Sequence, residues 1–152
     1  MRPKLGFALG AGAARGLTEI GVLDGLAALG VVPVIVCGTS MGALVGAAFV
    51  TGRLPELKSR LETFRRRDVA AMLDVHLTNG GLITGSRIEN FVASLGISGP
   101  IETLPIRFAA VATDFASGRE VWLREGPIGR AVRASIGIPG VFSPARYDEG
   151  DG

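Results

Sequence analysis

Apolar and polar residues fall into two rhythms along this chain. Residues 4–9 and 34–36 are short apolar runs, the second β-branched, and each gives way to small residues before a longer segment begins. In residues 17–29, Ile20, Val22, Leu23, Leu26, Ala27 and Leu29 make one broad apolar helical face. Gly30 is placed to end that helix and Pro33 to open the next strand, and residues 41–49 are a run of small apolar residues suited to a closely packed helix. The order strand, loop, helix, strand predicts a right-handed βαβ unit and therefore parallel strands in a buried sheet.

Beyond Gly52 the rhythm is helical again, with Pro55 in a first turn and Leu54, Leu57, Leu61 and Phe64 at helical spacing. The opposite face carries Lys58, Arg60 and Arg65-Arg66-Arg67, read first as a solvated face and second as a patch for anionic lipid head groups. Residues 69–75 read as a short helix and Thr78-Asn79-Gly80-Gly81 as a turn. Ser86 is expected to cap a helix over 87–95, with Glu89 completing a capping box. Residues 96–100 break that helix. Residues 106–112 read as a central strand, 113–118 as a turn and 119–123 as its hairpin partner. Pro127 begins a helix to 136, residues 137–140 form a stiff, buried turn, and 141–147 are expected as a strand entering a turn at 149–152. With no repeat, low-complexity stretch or linker, residues 1–152 read as one domain of the α/β class.

Composition narrows this further. The chain has 152 residues, enough for one real core, and its 23 glycines suit many tight turns and close helix-to-sheet contacts. A net charge of +2 singles out no partner. Cys37 is the sole cysteine and falls in a predicted strand, where it reads as a small core residue. Arg2 and Lys4 precede an apolar stretch, but residues 5–9 are too short for a signal peptide and contain Gly6, so a cytoplasmic chain is the default. Residues 30–52 are uncharged and long enough to invite a membrane-span reading. Pro33 and the polar Thr39-Ser40 interrupt them, which favours strand and helix over a span.

The candidate chemistry lies at the junction of the second strand and helix. Gly38-Thr39-Ser40-Met41-Gly42 is a G-x-S-x-G sequence with a strand before it and a helix after it. Such a turn lifts the serine into the open, with glycines where a Cβ would collide with neighbouring backbone, and sets it at a helix N-terminus that favours negative charge. The loop Gly10-Ala11-Gly12-Ala13-Ala14-Arg15-Gly16 leaves the preceding strand beside it. Gly12 and Ala13 are the expected oxyanion donors, the Met41 N–H a third, with Arg15 adding positive charge nearby. Dinucleotide binding competes for the same loop, but Arg15 stands where a third glycine is needed and no acid ends the second strand; a Walker P-loop lacks its Gly-Lys-Ser/Thr. The single histidine, His76, has no acid spaced to make a triad and reads as structural. No metal or cofactor is expected.

These residues resemble the bacterial patatin-like phospholipases, relatives of the plant storage lipase patatin. The resemblance rests on 9–16 with Ile20-Gly21-Val22-Leu23, on Gly38 to Gly42, on Ala112-Thr113-Asp114 with Gly118-Arg119-Glu120, and on Arg133-Ala134-Ser135 through Ile138-Pro139-Gly140. It implies a three-layer α/β/α fold with a mainly parallel central sheet. It also implies an acyl-ester hydrolase with a Ser-Asp dyad and no catalytic histidine, Ser40 being the nucleophile. The substrate would be a phospholipid, lysophospholipid or other fatty-acyl ester, met with or without peripheral membrane contact; no nucleic-acid partner is implied. Ala11 and Ala13 stand where many members have glycine. The family's acid sits in an Asp-Gly-Gly or Asp-Gly-Ala motif after a returning strand. Asp151-Gly152 looks like a truncated copy but comes too early after Gly140. The expectation is that Asp151 belongs to a turn, that the acid lies beyond residue 152, and that the 152 residues alone have little activity. Asp114 and Asp148 are poorer substitutes, Asp114 because it matches a position that structures a turn. The alternatives are a non-catalytic lipid-binding fragment lacking the acid and a nucleotide-binding domain.

Overall fold

A computed structural model describes residues 4–63, 85–138 and 142–147. Four strands form one sheet in the order β1 (Gly6–Leu9), β2 (Ile35–Thr39), β3 (Arg107–Thr113), β4 (Glu120–Leu123). β1, β2 and β3 run parallel, in registers that set Leu9 beside Gly38 and Thr39 beside Val111. β4 returns antiparallel, Val111 facing Trp122. This is the mainly parallel α/β sheet the sequence predicts, consistent with a three-layer α/β/α fold. Helices α1 (Thr18–Ala28), α2 (Met41–Val50), α3 (Leu54–Thr63), α4 (Ser86–Ser94) and α5 (Ile128–Ile136) connect and flank it.

α2 organises the core. It is apolar all round, so no face of it suits water, and every residue but Phe49 is buried. Its packing is close because Gly46 carries no side chain: a Cβ there would lie 3.1–3.3 Å from Phe108, Val36 and Leu9, one residue from each parallel strand. α1, α3 and α5 all touch α2. Residues 30–52 are thus a strand, a bend and a ten-residue helix, not a span; no helix among the described residues is long and apolar enough to cross a membrane.

Most elements fall where the sequence places them, and four details do not. A 3-10 turn at Ala13–Leu17 precedes α1, so the helix starts one residue late. Gly85, not Ser86, occupies the cap position of α4, and Glu89 reaches Arg133 of α5 at 3.3 Å instead of closing a capping box. Residues 142–147 carry only an isolated bridge at Phe142, not the expected strand. Ile138, expected in a buried turn, is half exposed. The readings at Phe64, Arg65 to Arg67, 69–75, His76, Thr78 to Gly81, 139–141, Asp148 and 149–152 lie outside the described residues.

Candidate active site

β2 ends at Thr39 and α2 starts at Met41, so Ser40 alone makes the bend between them. Its backbone sits at φ 55 and ψ −116, a region disfavoured for any residue with a Cβ and costing on the order of 1–3 kcal/mol. The surroundings hold it there. A Cβ on Gly38 would lie 2.3 Å from the Gly42 carbonyl oxygen, so the two arms of the bend touch backbone to backbone. The Ser40 carbonyl accepts from the Ala43 and Leu44 N–H groups at 3.0 and 3.2 Å. The Ser40 N–H donates to Ser135 Oγ at 2.8 Å, and Ser135 Oγ donates to the Val111 carbonyl at 2.6 Å. Ser40 itself is half-buried.

The glycine-rich loop packs against this bend. A Cβ on Gly42 would lie 2.4 Å from the Leu9 oxygen and 2.7 Å from the Gly10 oxygen, and one on Gly16 would lie 2.8 Å from Met41 Cβ. The end of β1 is therefore in backbone contact with the first turn of α2, and Gly16 packs on the Met41 side chain, so the 10–16 loop lies beside the bend. Within the loop, Gly12 caps the 3-10 turn and accepts from the Arg15 N–H at 2.9 Å, while Ala13 opens the turn at φ 46. That turn and α2 both begin here, and the first N–H groups of a helical turn have no acceptor inside it. Ala13 and Met41 occupy those first positions.

Two side chains that the sequence reading gave no role shape the site. Glu19, on the first turn of α1, accepts the Gly10 N–H at 2.7 Å; its Oε2 is buried without a hydrogen-bond partner among the described residues. Gly10 is thereby pinned and its N–H spent. Ser135, in the Arg133-Ala134-Ser135 segment, reaches the bend from 95 residues away. No local signal marks either residue, since each acts through a contact that only the fold creates. Arg15 is exposed and lies at the rim of the loop.

The acids separate clearly. Asp114 turns its carboxylate onto Ser117, accepting its N–H at 2.7 Å and its hydroxyl at 2.5 Å, while its own carbonyl accepts the Gly118 N–H. The Ser117 hydroxyl bond, then the Ser117 backbone bond, hold its pKa below the usual carboxylate value. Asp114 is built into its turn. Asp148 and Asp151 lie outside the described residues. A cleft of about 1000 Å³ opens on the β3–β4 side of the bend, lined by Thr39, Val111, Asp114, Arg119, Ser135 and Phe142 among others; Ser40, Met41 and residues 10–16 are not among its lining residues. Chemically, a hydroxyl on a rigid bend beside the amide groups that open two helical turns can pair a nucleophile with a cradle for negative charge.

Residues 7–152 match the model of the patatin-like phospholipase family. An uncharacterized NTE family protein of Mycobacterium tuberculosis is 39% identical over 146 residues, 96% of this chain and 41% of the relative. The Mycobacterium bovis counterpart matches to the same extent. Patatin-like phospholipase domain-containing protein 7 of Rattus norvegicus is 29% identical over 97% of this chain and 11% of its own length. The chain thus spans about two fifths of the mycobacterial relatives it matches.

Proposed function

The chain belongs to the patatin-like phospholipase family, and from that premise we propose that it is the acyl-hydrolase domain of a serine lipase, residues 1–152 forming a single domain. The substrate class is a phospholipid, lysophospholipid or other fatty-acyl ester, met at a membrane surface or free, and no cofactor or metal is called on. The observation that carries this reading is the backbone of Ser40, strained at φ 55 and ψ −116 between β2 and α2. A fold sustains such a residue only where the surroundings over-determine it, and such places cluster at reacting groups.

In this mechanism Ser40 Oγ attacks the ester carbonyl carbon and loses its proton to an aspartate carboxylate. The oxyanion is received by the N–H groups of Gly12, Ala13 and Met41, with Arg15 contributing positive charge. One such donor lowers a barrier by about 3 kcal/mol. The tetrahedral intermediate collapses, the protonated aspartate returns its proton to the departing alkoxide, and an acyl-Ser40 ester remains. Water then attacks that ester, giving its proton to the same aspartate, and the fatty acid leaves as Ser40 takes the proton back. Asp114 is committed to Ser117 and is not assigned this role; whether Asp151 fills it is tested by Asp151→Asn.

Turnover of short-chain p-nitrophenyl esters and of lysophospholipid by the complete gene product, beside its Ser40→Ala variant, tests the proposal. The variant is expected to lose at least ~10³-fold in kcat, the scale of removing a nucleophile. Equal rates in the two proteins contradict it and leave a non-catalytic lipid binder.

A further inference from the structure

We propose that Ser135 is the positioning residue of the Ser40 bend, fixing the peptide plane that decides where the Ser40 hydroxyl stands. Only its catalytic consequence rests on the hydrolase reading above. Ser135 lies in the last turn of α5, half-buried, on the side of that helix that meets β3 and α2. A serine hydroxyl has one proton to give. Here it goes to the Val111 carbonyl at 2.6 Å, so the oxygen presents lone pairs to Ser40, whose N–H must be the donor at 2.8 Å. The hydroxyl is thus oriented by β3, and it in turn orients the bend after β2.

Two consequences follow from that chain of bonds. The Ser40 N–H is occupied and cannot serve the oxyanion, which leaves Met41, Gly12 and Ala13 as donors. The same bond also opposes relaxation of a strained residue. Ser40 at φ 55 would relieve its strain by rotating the Thr39–Ser40 peptide, and that rotation would carry the N–H away from Ser135. Without the bond, the side chain leaves its place by a distance that, at the order of 1 Å, costs about 10²-fold in rate. Binding of the ester, made elsewhere, need not change.

Amide hydrogen exchange at Ser40 and steady-state kinetics, measured on the complete gene product and on Ser135→Ala and Ser135→Thr, test this. The Ser40 amide is expected to be protected in the wild-type protein, to exchange at least ~10-fold faster in S135A while buried α2 amides hold, and to recover in S135T. In step with it, kcat is expected to fall ~10–100-fold in S135A with KM within about twofold, and to return in S135T. An unprotected Ser40 amide in the wild-type protein overturns the proposal whether or not S135A folds. Unchanged exchange in S135A does the same, and faster exchange with unchanged kcat overturns the catalytic part. If wild-type and S40A proteins hydrolyse esters equally, the hydrolase reading fails by itself, and the exchange data still decide whether Ser135 holds the bend.

Discussion

Replacing Gly42 by alanine adds one methyl group at the tightest point between the two loops. That methyl would lie 2.4 Å from the Leu9 oxygen, 2.6 Å from the Leu9 carbonyl carbon and 2.7 Å from the Gly10 oxygen. All three obstacles are backbone atoms of a strand end, so no side chain can swing aside. Cβ contacts under 3.0 Å essentially never occur, so α2 and the end of β1 must part by at least 0.6 Å. Overpacking of this kind costs ~1–3 kcal/mol, and the upper end applies because α2 is walled in on nearly every side. In a chain of this size that is roughly 6–12 °C in Tm. The separation also moves Ser40 and Met41 away from Gly12 and Ala13, so a further loss of about 10²-fold in kcat is expected beyond any loss of folded protein. Thermal unfolding and ester turnover per folded molecule measure the two effects separately. A G42A protein within 0.5 kcal/mol of wild type and fully active would refute the reasoning.

Other substitutions probe the same physics from different sides. Gly21→Ala and Gly25→Ala in α1 place a methyl with nothing within 4 Å, so each is expected to raise stability by ~0.5–1 kcal/mol in urea unfolding through helix propensity alone. Ser40→Gly removes both the hydroxyl and the Cβ strained at φ 55; it is expected to be inactive yet ~1–2 kcal/mol more stable than Ser40→Ala, which keeps the strain. Asp114 should titrate below the ordinary aspartate value by NMR, and Ser117→Ala should raise its midpoint. Because the folded pKa is the lower one, its support of the β3–β4 turn is present above the unfolded pKa and is lost as pH falls through the folded value.

What the sequence made legible was local. The apolar runs and helical spacings located β1, α1 and α2 to within a residue or two, because each is defined by its own side chains and an adjoining glycine, whereas β2 runs on from the 34–36 run through Gly38 to Thr39, where its neighbours β1 and β3 supply the pairing. Gly38, Ser40 and Gly42 were readable for the same reason: a bend this tight needs small residues at fixed spacing, and their Cβ clashes of 2.3–2.4 Å show why. The remainder was set by tertiary contact. Glu89 looked like half of a capping box, but Arg133, 44 residues on, competes for its carboxylate. Residues 142–147 look apolar enough for a strand, yet a strand exists only where a partner's edge accepts its hydrogen bonds. Glu19 folds back across the 3-10 turn onto the Gly10 N–H nine residues earlier, and Ser135 reaches the Ser40 N–H from the far end of the chain. No spacing rule reaches across 95 residues.

Hydrolysis by this domain requires Ser40 to be an activated nucleophile. A fluorophosphonate probe, followed by mass spectrometry of the digested protein, reads this directly, because the probe forms a covalent bond only with a serine whose proton is being taken. The predicted result is one adduct, on the peptide holding Gly38 to Gly42, absent in Ser40→Ala. A folded gene product that stays unmodified, or that carries its adduct on another residue, would contradict it.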